Sequence, residues 1–282
     1  MKFFKYHALG NDYIVIDPNR ERFNLTVHNI KLVCHRNFGV GSDGILYGPE
    51  LTEDGAFGLR IFNPDGSEAE KSGNGIRIFS RYLVEAGYAK TRSFSLNTLG
   101  GKVAVAVLSE RADLFKVDMG TVTFQSERIP VSGPPREMVD QPLEVGGATY
   151  RATCLSIGNP HCVIPLPEIS RELALAIGPA VENHPLFPNK INLQLLKLID
   201  RRRIQIEIWE RGAGYTLASG SSSCAAACAA HRLGLVDPEL TVAMPGGEIG
   251  IAIQPDGHVL MTGPVTAVAA GELAADLAAQ LE

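Results

Sequence analysis

The chain has 282 residues, 45% of them hydrophobic and 20% charged, with a net charge of −5. That length exceeds one typical core and suits two domains, and the composition is that of a globular protein. The acidic balance gives no electrostatic reason to bind nucleic acid or an anionic membrane, and no apolar run approaches the roughly 18 residues of a membrane helix.

In chain order, Met1 to Tyr6 is too short and polar for a signal peptide, so a cytoplasmic location is expected. Phe3–Tyr6 and Tyr13–Ile16 read as strands around the turn Leu9-Gly10-Asn11-Asp12. Leu25 to Asn37 suits a helix. The glycine loop Gly39 to Gly44 that follows lacks the Lys and Ser/Thr of a phosphate-binding P-loop. Leu59–Phe62 is a short strand before the turn Asn63-Pro64-Asp65-Gly66-Ser67. A helix from Ser72 carries the apolar stripe Ile76, Phe79, Leu83 and Val84 and stops at Gly87. Strands follow at Ser93–Leu96, Lys102–Leu108 and Leu114–Asp118.

Beyond Gly120 the pattern gives strands at Ala152–Ile157, Cys162–Ile164, Ile191–Ile199 and Ile204–Trp209. The basic cluster Arg201-Arg202-Arg203 reads as a solvated turn. A helix runs from Ser219 to near Gly234, and strands lie at Leu240–Ala243, Ile249–Ile253 and Val259–Thr262. The amphipathic segment Ala267–Leu281 predicts a closing helix. The five cysteines, Cys34, Cys154, Cys162, Cys224 and Cys228, show no CxxC or metal-ligand spacing, as in a reducing compartment.

The two halves echo each other. Asn11 and Asn159 lie 148 positions apart, and Ser72-Gly73 and Ser219-Gly220 lie 147 apart, as do Phe62-Asn63 and Trp209-Glu210. A shared offset of half the chain predicts a tandem duplication. The fold class is then α/β (α+β), with two pseudo-symmetric domains, each a mostly β sheet or barrel wrapped around a central helix. The expected division is residues 1–119, joined by the tail 265–282, and residues 120–264. Paired loops would meet where the halves face each other, where ligand sites often form.

The duplication gathers Asn11, Asn63, Ser72, Gly73, Asn74, Asn159, His161, Asn192, Glu210, Arg211, Ser219, Gly220 and Ser221. This amide-rich set suits a zwitterion. Asn offers donor and acceptor, Arg211 can grip a carboxylate, and Glu210 can hold an ammonium. The N–H groups after Ser72 and Ser219 can bind a second carboxylate at two helix starts. Matching side chains on opposite faces of one Cα suggest racemisation, with one taking a proton and the other delivering one. No metal or organic cofactor is called for.

The segments Leu9-Gly10-Asn11-Asp12, Asn63-x-Asp65-Gly66-Ser67-x-Ala69-Glu70, Gly73-Asn74-Gly75-Ile76-Arg77, Gly158-Asn159-Pro160-His161 and Trp209-Glu210-Arg211-Gly212-Ala213-Gly214 resemble the signature segments of the diaminopimelate epimerase family. The resemblance runs over nearly the whole chain in the right order. It implies a cofactor-independent amino-acid epimerase, commonly a homodimer, acting in lysine and peptidoglycan-precursor synthesis. It further implies that Asn11, Asn63, Asn159, Asn192, Glu210 and Arg211 bind substrate. Gly73-Asn74 and Gly220-Ser221 would hold the carboxylate at the reacting carbon, with His161 beside the catalytic groups.

The departures concentrate at the chemistry. The family places catalytic cysteines where this chain has Ser72 and Ser219. A thiol ionises near neutral pH, with a free pKa of about 8.5, whereas a serine hydroxyl needs an adjacent base. Lys71 precedes Ser72, Tyr215 stands where the family usually has Glu, and Ser221-Ser222-Ser223 replaces a Thr-Gly-small run. Three readings follow. The first is an epimerase with Ser72 and Ser219 as acid and base, assisted by His161 and Glu210. The second is an isomerase of a more acidic carbon acid, for which Lys71 is a candidate base if burial lowers its pKa. The third is a non-catalytic amino-acid binder, its serines acting only as helix N-caps. A Ser-His-Asp hydrolase is disfavoured because no GxSxG elbow is present.

Overall fold

The computed structural model describes residues 1–52 and 55–282. The chain divides into two compact units, Met1–Val117 with Gly263–Glu282, and Asp118–Thr262. In chain order the elements are β1 (Lys2–Ala8), β2 (Asn11–Ile16), α1 (Val27–Cys34), β3 (Ile45–Leu51), β4 (Phe57–Phe62), β5 (Glu68–Ala69), α2 (Gly73–Glu85), β6 (Ser93–Thr98), β7 (Gly101–Val107) and β8 (Leu114–Thr121). They continue with β9 (Gln141–Val145), β10 (Ala148–Ser156), β11 (Pro160–Pro165), α3 (Arg171–Glu182), β12 (Asn192–Asp200), β13 (Arg203–Glu210), β14 (Gly214–Thr216), α4 (Gly220–Arg232), β15 (Glu239–Met244), β16 (Gly247–Ile253), β17 (His258–Pro264), β18 (Thr266–Glu272) and α5 (Ala275–Ala278).

The sheet of the first unit has β1 antiparallel to β18 and β2, β2 parallel to β3, and β3 antiparallel to β4. β4 then takes β5 antiparallel and β6 parallel, and β6, β7 and β8 form a meander. The second unit repeats this order. β10 is antiparallel to β9 and β11, β11 parallel to β12, and β12 antiparallel to β13. β13 takes β14 antiparallel and β15 parallel, and β15, β16 and β17 form a meander. Each parallel join is crossed by a helix, as a parallel connection requires. The repeat seen at a few polar landmarks therefore extends to the whole strand order.

One helix in each unit is buried by its sheet. On α2 the residues Ile76, Phe79 and Leu83 are fully buried, each worth ~1.5–3 kcal/mol by burial. The helix packs on β1, β2 and β3 and ends where Gly87 takes a φ of +79°. Helix α4 packs on β10, β11, β12, β13, β15 and β16. A helix covered on so many sides needs small apolar side chains all round. Ala225, Ala226, Ala227, Ala229 and Ala230 supply them, with Cys224 and Cys228 buried beside them and neither in a disulfide.

The sequence reading names no strand at β3, β5, β9 or β14, and three of its helix expectations also differ. The helix predicted over Leu25–Asn37 is confined to α1, with Thr26 as its N-cap. The tail predicted as a helix over Ala267–Leu281 is instead the strand β18, with only the short α5 helical. Pairing the N–H and C=O groups of β1 with the tail overrides the helical preference of its alanines, since local propensity yields to tertiary context. No element is expected from the sequence between Ile164 and Ile191, where helix α3 lies with the Gly178-Pro179 pair inside it. Ser170 caps α3, accepting the Leu173 N–H at 3.1 Å, and Pro179 is carried inside it.

Candidate active site

In the first unit, the turn at Leu9-Gly10 takes φ values of +56° and +91°, which sets a tight hairpin and presents Asn11 at the start of β2. Asn11 Nδ2 donates to Asp43 Oδ2 at 2.9 Å, and the Asp12 N–H reaches the same oxygen at 3.1 Å. Arg36 Nη2 bridges Asp12 Oδ1 and Asp43 Oδ1 at 2.7 and 2.6 Å, and Lys5 Nζ lies 2.9 Å from Asp12 Oδ2. Burial pushes the Asp12 carboxyl up, but the hydrogen bonds from Arg36 and Lys5 outweigh it and hold the pKa below the usual carboxylate range. The glycine loop is thus a buttress for the Asn11 turn.

From that turn the network runs to the start of α2. Asn74 Nδ2 donates to Asn11 Oδ1 at 3.0 Å, and the wholly buried Arg77 donates from Nη2 to Asn74 Oδ1 at 2.8 Å. Gly263 makes room for that guanidinium, since a Cβ there would lie 2.6 Å from Arg77 Nη1. Ser72 is the N-cap, with Oγ accepting the Gly75 N–H at 3.1 Å, and the Tyr13 hydroxyl is 3.4 Å from the same oxygen. Gly73 and Asn74 are buried in the first turn. Asn63 stays within its own turn, donating to Ser67 Oγ at 2.9 Å.

In the second unit, Ser219 caps α4 and accepts the Ser222 N–H at 3.4 Å. Gly220 is buried behind it, and Ser221 Oγ accepts from Asn159 Nδ2 at 3.4 Å. Asn159 Oδ1 lies 2.9 Å from Nε2 of His161, which is wholly buried. Burial drives the His161 pKa down to about 3; the nearby Gln194 amide pulls the other way, and the Arg211 charge adds to the fall. His161 is therefore neutral at neutral pH. Its Nδ1 and the Oε1 of Gln194 are both buried without a hydrogen-bond partner among the described residues. Gln194 Nε2 donates to Ser222 Oγ at 3.0 Å.

Asn192 fixes the end of β13. It donates to the Pro160 carbonyl at 2.7 Å and accepts the Arg211 N–H at 2.9 Å. Arg211 Nη1 reaches the Asn189 carbonyl at 3.1 Å, and Glu210 is the last residue of β13. Beneath this segment sits Glu182 of α3, accepting from Trp209 Nε1 at 2.8 Å, Gly212 N at 3.1 Å and Lys190 Nζ at 3.2 Å. Burial pushes Glu182 up, but those bonds hold its pKa below the usual range. Tyr215 donates to Glu207 Oε2 at 2.7 Å under the Arg171 guanidinium, and burial with that bond pushes its pKa up to about 12.

Tyr13, Arg77, Glu182, Gln194 and Ser222 are the residues that sequence reasoning missed here. The repeat offers a signal for the first, because Tyr13 and His161 lie 148 positions apart, the spacing of Asn11 and Asn159. Among the described residues no group of three or more His, Cys, Asp or Glu side chains could hold a metal ion, and no helix is long and apolar enough to cross a membrane.

A family model described as diaminopimelate epimerase matches residues 3–125 and 153–268. The chain belongs to the diaminopimelate epimerase family. It is 54% identical to "Diaminopimelate epimerase 2" of Nostoc sp. strain PCC 7120 over 277 residues, covering 98% of this chain and 97% of that protein. It is 40% identical to the diaminopimelate epimerase of Moorella thermoacetica, covering 98% and 100%. The crystal structure of a hydroxyproline epimerase from Agrobacterium vitis shares the fold, with a TM-score of 0.72 at 13% identity and coverage of 98% and 93%. The family match breaks off between residues 125 and 153, the stretch that holds β9.

Proposed function

We propose that this protein is a cofactor-independent amino-acid epimerase that interconverts LL- and meso-diaminopimelate, with Ser72 and Ser219 in place of thiols. The observation that carries this reading is the full-length 54% identity to a diaminopimelate epimerase, joined to two serine-capped helix starts at equivalent places in a repeated fold. One serine takes the Cα proton while the other delivers a proton to the opposite face. The substrate carboxylate, where negative charge develops, is received by the N–H groups of the first helical turns, which a helix cannot bond internally. In this reading Gly73, Asn74, Gly220 and Ser221 hold that carboxylate. Asn11, Asn63, Asn159, Asn192, Glu210 and Arg211 hold the remaining polar groups of the substrate.

The neutral, buried His161 then orients Asn159 and does not itself take the substrate proton. A cytoplasmic location and a homodimer belong to the same proposal. The five buried cysteines, none in a disulfide, support the first, and light scattering on the purified chain tests the second. One observation favours a second reading, an amino-acid binder without turnover: both serine oxygens are engaged as helix caps.

The experiment is to incubate the protein with LL- or meso-diaminopimelate in deuterated water and follow the Cα proton by NMR. Exchange supports the epimerase. Binding without exchange in the wild type, with exchange restored in Ser72→Cys/Ser219→Cys, supports the binder. No exchange in either protein, both folded, rules out diaminopimelate as the substrate.

A further inference from the structure

Tyr13 holds in the first unit the position that His161 holds in the second. Each is the second residue beyond the asparagine of a tight turn, on a strand parallel to its neighbour. Its ring is buried against Gly44, where a Cβ would lie 2.7 Å from ring carbon Cε1. That seat aims the hydroxyl at Ser72 Oγ, 3.4 Å away. Asn11, two residues earlier on the same face of β2, is tied to Asn74 of the same helical turn. Two alternate side chains of one strand therefore index the start of α2.

A serine oxygen has two lone pairs and one hydrogen. At Ser72 one lone pair is taken by the Gly75 N–H, and the Tyr13 oxygen is in position to exchange a proton with the hydroxyl. A phenol has a pKa near 10, whereas serine becomes a useful base only beside a group that relieves it of its proton. Hydrogen bonds of this length in an unliganded site commonly tighten when substrate is bound.

We propose that Tyr13 is the proton-relay partner of Ser72, a role that rests on the epimerase reading above. The substrate Cα–H bond breaks and a new Ser72 Oγ–H bond forms. Tyr13 enters the step ionised, its phenol proton having already left to solvent, and the proton Ser72 carried passes to that phenolate oxygen. The electron pair stays on the substrate carbon and its carboxylate, and the reverse transfer returns a proton to carbon. No oxidant or reductant enters.

The test compares wild type, Tyr13→Phe, Ser72→Cys and the double variant in the deuterium-exchange assay, with folding checked by circular dichroism. Tyr13→Phe keeps the ring and is expected to lower kcat by about 100-fold, with KM changed by less than about threefold. Ser72→Cys in that background recovers the rate, because a thiol of pKa about 8.5 needs no phenolate. A ring with only a packing role would lower both backgrounds equally, and that result overturns the relay. So does a Tyr13→Phe variant with the wild-type rate. Exchange by Ser72→Cys but not by the wild type overturns the relay and leaves the substrate assignment standing. No exchange by any of the four overturns both.

Discussion

His161 makes the acid stability of the second unit a measurable consequence of burial. In the unfolded chain its imidazole titrates near the ordinary value of about 6.5. In the folded chain, wholly buried, it is held down to about 3. Below pH 6.5 the unfolded state binds a proton that the native state refuses, so stability falls as the pH falls through that window. The slope approaches ~1.4 kcal/mol per pH unit, so going from pH 7 to pH 4.5 removes roughly 2–3 kcal/mol through this residue alone. His161→Gln keeps an amide near the Nε2 position facing Asn159 and cannot titrate. Trp209, the single tryptophan, lies in the same unit and reports urea unfolding by fluorescence. Wild type is expected to lose roughly 2–3 kcal/mol more than His161→Gln over that pH range, the carboxylates common to both cancelling in the difference. Parallel losses in the two proteins would refute a neutral, desolvated His161.

Gly263→Ala puts a Cβ 2.6 Å from Arg77 Nη1 and drives the guanidinium off Asn74; about 1–3 kcal/mol should be lost in thermal melts, with KM raised. Gly178→Ala sets a Cβ 2.5 Å from the Trp209 ring. A comparable destabilisation, with a shift in Trp209 emission, is expected, and an unchanged emission maximum would show that α3 yields in place of the ring. Glu182→Leu strands Trp209 Nε1 and the Gly212 N–H. It should cost about 2–4 kcal/mol in urea unfolding and weaken substrate binding through the loosened Arg211 segment.

Elements with a local signature were legible in the sequence. The Ser72 and Ser219 caps, the apolar stripe of α2 and the alternating strands each depend on residues within a turn or two of one another. What escaped was set by distant contacts. Helix α3 tolerates Gly178-Pro179 because the glycine is where Trp209 packs, a contact made across 31 positions. The tail is a strand because β1, at the far end of the chain, needs a partner. The repeat reaches part of this gap. Shifting α1 by 148 positions lands on residues 175–182, within α3, so the duplication carried information that local propensity did not. The site residues follow the same division. Asn11, Asn74, Arg77, Asn159 and His161 stand in recognisable segments, though Arg77's role shows only in its contact with Asn74, whereas Glu182 and Gln194 matter only through what they touch.

The same offset shows where the two halves have parted chemically. Leu46 and Gln194 are equivalent, as are Gly75 and Ser222, at offsets of 148 and 147. In the first unit Leu46 closes on Gly75, where an added Cβ would lie 3.0 Å from Leu46 Cδ2, so the floor beneath Ser72 is apolar. In the second, Gln194 donates to Ser222 beneath Ser219, beside a neutral imidazole. The Ser72 hydroxyl has beside it the Tyr13 oxygen, which accepts its proton once ionised, while Ser219 sits over the Gln194–Ser222 amide chain beside an imidazole that stays neutral at neutral pH. The two serines are therefore unequal as bases even though their caps match. Replacing Ser72 by alanine should accordingly abolish proton removal from one Cα face more completely than replacing Ser219 abolishes it from the other. Primary deuterium isotope effects measured separately from the LL and meso substrates would register that inequality, and equal effects in the two single variants would contradict it.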